Sequence, residues 1–171
     1  MEMIEQHGIS HRGKVVFGKT PSSSKGLAYH LSEPLRVMVA DMNKYSRNLT
    51  AEHFILSLAA QEQTPATTEL GLQKVAEYFY DLGIETGTFD IRNGSGLSRE
   101  MKLKPSQVSA VMIDMYEDPI LGPEYFASLS VGGRDGTLRR RFRENSYSGY
   151  VRGKTGSING VYCLSTYVIG G

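Results

Sequence analysis

The tightest constraint on this chain lies near its end. Two β-prone runs, residues 150–155 and 161–169, flank Gly156-Ser157-Ile158-Asn159-Gly160. An Asn-Gly step between such runs marks a hairpin, because both residues tolerate the positive φ of a tight reversal. The preceding sequence has a different period. Pro34 can open a helix, and Leu35, Met38, Val39 and Met42 follow at helical spacing. Ala51, Phe54, Ile55, Leu58 and Ala59 repeat it. Leu72, Val75, Ala76 and Phe79 do so again, behind a Thr67 or Thr68 cap and before Gly83 as a stop. Pro105 opens a fourth helix with Val108, Val111, Met112 and Met115 on one face. Residues 13–17 read as a short strand and residues 84–91 as extended. Turns are expected at 21–24, 93–96 and 132–136. Helices followed by a hairpin predict a mixed α+β domain in which helices cover an antiparallel sheet.

The 171 residues, 40% of them hydrophobic, suffice for one core. Lys and Arg number 19 against 18 Asp and Glu, a net charge of +1, so no whole-chain field draws in nucleic acid or an anionic membrane. The run Arg139-Arg140-Arg141-Phe142-Arg143 reads as a solvated face. No apolar run approaches the roughly 20 residues of a membrane span, and residues 1–12 lack the apolar centre of a secretory signal. A lone cysteine, Cys163, excludes an internal disulfide; within Val161-Tyr162-Cys163-Leu164 it reads as a small buried residue. His7, His11, His30 and His53 show no metal-ligand spacing, and no cofactor is implied.

Two motifs fit by letter and fail on context. Residues 13–20, GKVVFGKT, match a P-loop, the basis of a remote nucleotide-binding alternative. Their Val-Val-Phe middle is too bulky to wrap phosphate, and Pro21 removes an amide where phosphate needs donors. Ser22-Ser23-Ser24-Lys25 matches S-x-x-K, but no helical stripe starts at Ser22 to bring the lysine beside the serine.

Two others agree with their surroundings. Ser46 and Asn48 fall in the break between the first two helices. Residues two apart diverge on a helix and point alike in an extended stretch, so such a pair can face one ligand there; Ser and Asn are also ordinary caps. Lys154-Thr155-Gly156 enters the hairpin. On an edge strand, Gly156 leaves room for another backbone, an extended peptide can pair with the edge, and Lys154 offers charge to a terminal carboxylate. A plain strand end with a glycine turn is the simpler alternative.

The order S-x-N then K-T-G resembles the second and third elements of the penicillin-recognising serine enzymes. Residues 43–52, NKYSRNLTAE, resemble the stretch around S-x-N in one branch. Residues 93–99, NGSGLSR, resemble its D-G-S-G-L-S-R signature, with Asn93 in place of Asp. Residues 133–138, GRDGTL, resemble its G-x-D-G-T-L element. These marks resemble the class C penicillin-binding proteins, the D-Ala-D-Ala carboxypeptidase/endopeptidases, over nearly the whole chain.

The resemblance implies a β-lactamase/transpeptidase-like fold, here incomplete at both ends: a C-terminal portion of the domain, residues 1–171, with the nucleophile-bearing part absent. Residues 1–9 read as the tail of a helix. It implies a serine hydrolase acting through an acyl-enzyme on peptidoglycan D-Ala-D-Ala peptides and acylated by β-lactams, in a periplasmic or other extracytoplasmic bacterial location. Ser46, Asn48 and Lys154 would be catalytic, and Thr155, Gly156 and Ser157 substrate-binding. The alternative is a non-catalytic peptide-binding module on the same fold. An incomplete sheet would leave raw edges open to self-association. The geometric requirement is that the Ser46 break and the Lys154 strand line opposite walls of one groove.

Overall fold

The computed structural model describes residues 5–10, 12–14, 16–143 and 147–170. Readings that touch residues 1–4, His11, Val15 or Gly171 lie outside them. The chain divides into two units, Met1–Ser32 and Glu33–Gly171.

In the first unit, residues 5 and 6 are helical, and the Gly8 amide closes a turn onto the Glu5 carbonyl at 2.9 Å. Gly13, Lys14, Val16 and Phe17 are not in a strand, and the reading of the whole run 13–17, which takes in Val15, lies outside the described residues. A few extended residues between glycines need a partner ladder to persist, and the described residues supply none. Pro21 instead starts a turn, with the Ser24 amide on its carbonyl at 3.0 Å. No helix follows Thr20 or Ser22. The described residues therefore lack the strand and helix that frame a P-loop, and Lys25 is not one helical turn from Ser22.

The second unit follows the predicted order. Helix α1, Leu35–Tyr45, starts after Pro34, whose φ of −53° suits a helix entry. Helices α2, Asn48–Ala60, and α3, Thr68–Asp81, pack closely. At Gly71 a Cβ would meet the Ile55 carbonyl and its Cγ2, so only glycine permits that approach. Thr67 caps α3 by accepting the Leu70 amide at 3.3 Å. Helix α4, Pro105–Glu117, begins with a cap that apolar spacing does not reveal: Gln107 accepts the Lys104 amide at 2.8 Å and donates to the Thr88 hydroxyl at 2.9 Å. A short α5, Gly122–Ser128, leads into β1, Ser130–Val131, and a 3₁₀ turn, Gly136–Leu138. Residues 84–91 are not a strand. Gly87 takes φ +84°, Thr88 folds back on the Glu85 carbonyl at 2.6 Å, and only Asp90 bridges, to Lys102.

The hairpin is β2, Val151–Ile158, and β3, Val161–Val168, antiparallel, with Ile158 opposite Val161 and Gly160 at φ +81° in the two-residue turn. The sheet order is β1-β2-β3. Leu129, Val131, Leu138 and Val151 are buried where β1, β2 and the 3₁₀ turn meet. Tyr116, Phe126 and Tyr167 cluster with ring centroids 5.4–6.2 Å apart, joining α4 and α5 to β3. Cys163 is exposed, not buried. Among the described residues its strand has a neighbour on one side only, and Cys163 lines two cavities.

Candidate active site

Helix α1 ends at Tyr45 because Ser46 turns left-handed, φ 57° and ψ 54°, while its amide still reaches the Met42 carbonyl. Glycine usually takes this position, and a residue with a Cβ is strained there by about 1 kcal/mol. Arg47 is extended, φ −76° and ψ 95°, and Asn48 begins α2. The extended stretch expected around Ser46 is thus a left-handed kink followed by a helix start. Arg47 holds its charge back along α1, bonded to Asp41 at 3.0 Å and 5.5 Å from the Tyr45 ring.

On the facing side, β1 pairs only with Arg152 and Gly153 of β2. Among the described residues, 154–158 pair with β3 alone, so this half of β2 has one open edge. The Lys154 ammonium crosses from it to Ser46, donating to Oγ at 3.0 Å, and also to the Thr155 carbonyl at 2.7 Å. Burial lowers the proton affinity of Lys154 below the ordinary lysine value, and the neighbouring Cys163 partly opposes this. The Thr155 hydroxyl lies 2.8 Å from that of Thr137.

Between the walls is a cavity of about 470 Å³. Ser46 and Asn48 line one side, and Lys154, Thr155, Gly156 and Ser157 the other. All six candidate residues therefore surround one space. Thr155, although adjacent to Lys154 on the strand, lines the same cavity.

A further wall, residues 94–97, comes from the NGSGLSR segment. Glu52 anchors it, accepting the Gly94 amide at 3.1 Å and the Ser95 amide at 3.0 Å. Burial raises the proton affinity of this carboxyl. The Ser95 hydroxyl and the two amides more than reverse that, leaving it below the usual carboxylate value. A Cβ on Gly94 would meet the Ala51 carbonyl and Ile55 of α2, so a glycine is required. Asn93 accepts the Gly96 amide at 2.9 Å through Oδ1. An amide oxygen fills that role as a carboxylate would, which accounts for Asn in place of Asp.

The sequence reading gave no role to Asn43, Glu52, Thr137 or Cys163. Asn43 is buried, lines the cavity and donates to the Ser128 hydroxyl at 2.7 Å. Glu52 lies one helical turn after Asn48, a spacing that could have flagged it. Thr137 and Cys163 reach the site by chain folding, and no spacing announces them.

The D-Ala-D-Ala carboxypeptidase 3 (S13) family model matches residues 1–171. The chain belongs to that family. It is 32% identical to a D-alanyl-D-alanine carboxypeptidase from an Actinomadura strain, over 99% of this chain and 33% of the relative. It is also 32% identical to D-alanyl-D-alanine carboxypeptidase DacB of Haemophilus influenzae, over 96% of this chain and 35% of the relative. The crystal structure of penicillin binding protein 4 (dacB) from H. influenzae, complexed with a β-lactam, superposes with a TM-score of 0.83 at 30% identity, covering 98% of this chain and 39% of that one. The family's transpeptidase-like mixed fold is therefore the fold seen here. The chain spans about a third of the length of these relatives.

Proposed function

We propose that the protein is a serine-type D-Ala-D-Ala carboxypeptidase/endopeptidase acting on peptidoglycan stem peptides or cross-links in an extracytoplasmic compartment. The observation that carries this is the 3.0 Å contact between Lys154 and Ser46, residues 108 apart in sequence, across a cavity with one open strand edge. In this reading the attacking serine belongs to an S-x-x-K segment outside the 171 residues, with its lysine as base. Its Oγ bonds to the carbonyl carbon between the two D-alanines. The C–N bond then breaks, and the leaving amine takes a proton relayed through Ser46. Water later releases the acyl group. Asn48 holds the substrate amide. Lys154, whose proton affinity burial has lowered, attracts the terminal carboxylate and tunes the proton relay. Thr155 binds that carboxylate, and the Ser157 amide is one oxyanion donor, a role worth roughly a hundred- to thousandfold in turnover elsewhere.

The test on this chain is a titration with N-acetyl-D-Ala-D-Ala followed by NMR. The expected result is shifts at Ser46, Asn48 and residues 154–157, with affinity for the D,D dipeptide above that for its L,L isomer. Shifts confined to another surface would exclude the reading. A peptide-binding module without catalysis would give the same titration. It would differ in showing no turnover once an S-x-x-K segment is joined to the chain.

A further inference from the structure

The segment Asp135-Gly136-Thr137 touches Lys44 near the end of α1 and Thr155 of β2, and neither motif reading assigned it a task. Asp135 Oδ2 takes the Lys44 ammonium at 2.6 Å, while Oδ1 accepts the Val131 amide at 2.7 Å. Lys44, two residues before Ser46, also donates to the Leu129 carbonyl at 3.0 Å. Gly136 takes φ +53°; a Cβ there would collide with the Ser130 hydroxyl and lie 2.7 Å from the Lys44 carbonyl. Only glycine lets the segment lie this close to the end of α1. The Thr137 amide then donates to Ser130 Oγ at 3.2 Å. With its backbone held there, Thr137 presents its hydroxyl to Thr155 at 2.8 Å.

We propose that Thr137 is a positioning residue for recognition of a ligand's terminal carboxylate, acting through the hydroxyl of Thr155. The inference rests on the peptidase reading above. A hydroxyl has one proton and two acceptor lone pairs, and its proton rotates to suit. Thr155 donates to Thr137 at 2.8 Å. When an anion arrives, the pair reverses: Thr137 donates to Thr155, and the Thr155 proton turns to the carboxylate. That new bond is charge-assisted and stronger than the one it replaces. Without Thr137, the Thr155 oxygen loses its donor and its fixed direction. Asp135 and Gly136 keep the relay in register with the Ser46 wall through Lys44.

The experiment compares N-acetyl-D-Ala-D-Ala with its C-terminal amide, binding each to the wild-type chain, Thr137→Val and Thr137→Ser by NMR titration. Valine keeps the shape of threonine and removes only the hydroxyl. The expected result is a carboxylate-over-amide preference that falls about three- to tenfold in Thr137→Val, the span of one neutral hydrogen bond. Amide binding should fall less than carboxylate binding, because a neutral carbonyl forms the weaker bond to Thr155, and Thr137→Ser should restore the preference. A wild-type ratio in Thr137→Val overturns the inference and leaves the peptidase reading standing. Loss of the ratio in Thr137→Ser as well also overturns it, because the methyl and not the hydroxyl would then matter. A wild-type chain with no preference for the carboxylate removes the peptidase reading and this inference with it.

Discussion

Burial lowers the proton affinity of Lys154 from the ordinary value of 10.5. The folded chain thus releases that proton at a lower pH than the unfolded chain does. Between the two values the unfolded state binds more protons, so stability rises with pH across that window. The expected outcome is a denaturation midpoint that climbs as pH approaches 10.5 in the wild type, relative to Lys154→Met. The tyrosines do not confound the comparison. Tyr167, pushed up to about 12 by burial, and Tyr78, raised further by burial and Asp114, are common to both proteins. Lys154→Met should also lose at least about tenfold in affinity for a D,D dipeptide carboxylate, the loss of one charge-assisted hydrogen bond. Equal midpoints at every pH would mean that Lys154 titrates alike in both states.

Glu52 and the residue 93–96 turn show how one element is fastened to another. With its carboxyl below the usual value, Glu52 contributes stability that is present above the unfolded value of 4.5 and is lost as pH falls through the folded value. Glu52→Gln turns one acceptor into a donor facing a backbone amide. Urea melts should show a loss of about 1–3 kcal/mol at pH 7 that narrows on acidification. In the hairpin, a Cβ on Gly156 would collide with Cys163 Sγ on the facing strand. Gly156→Ala should therefore destabilise, and Cys163→Ala in the same chain should recover most of the loss. A double variant no more stable than Gly156→Ala would put the glycine requirement elsewhere. The exposure of Cys163 was hidden from the sequence because its neighbours, Tyr162 and Leu164, are apolar and exposed too: 81% and 37%. An apolar run reports burial only when something covers it.

For the whole molecule, a labelled penicillin should not acylate the 171-residue chain, since Lys25 does not stand one helical turn from Ser22. Covalent label at Ser22, located by mass spectrometry, would revise that segment's role. Beyond β2, β3 has no further strand partner among the described residues, and it exposes Tyr162 and Val168, the latter at 67%. Such an edge pairs with other chains unless charge guards it. Sedimentation velocity should show concentration-dependent association, reduced in Tyr162→Lys. A monomer at all concentrations would exclude pairing through that edge.

By itself the sequence determined the four longer helices and the final hairpin, though not the short helix Gly122–Ser128, because apolar period and turn chemistry are local and survive without a partner. Four helical stripes and one Asn-Gly step were enough, along with motif order for the family. It misjudged residues 84–91, where the left-handed Gly87 and the turn at Thr88 overrule β propensity. The Lys154–Ser46 contact, the Glu52 anchor and the link from Lys44 through Thr137 to Thr155 were decided only by tertiary structure. Each depends on contacts between residues far apart in the chain, whose distances no spacing along one strand or helix can encode.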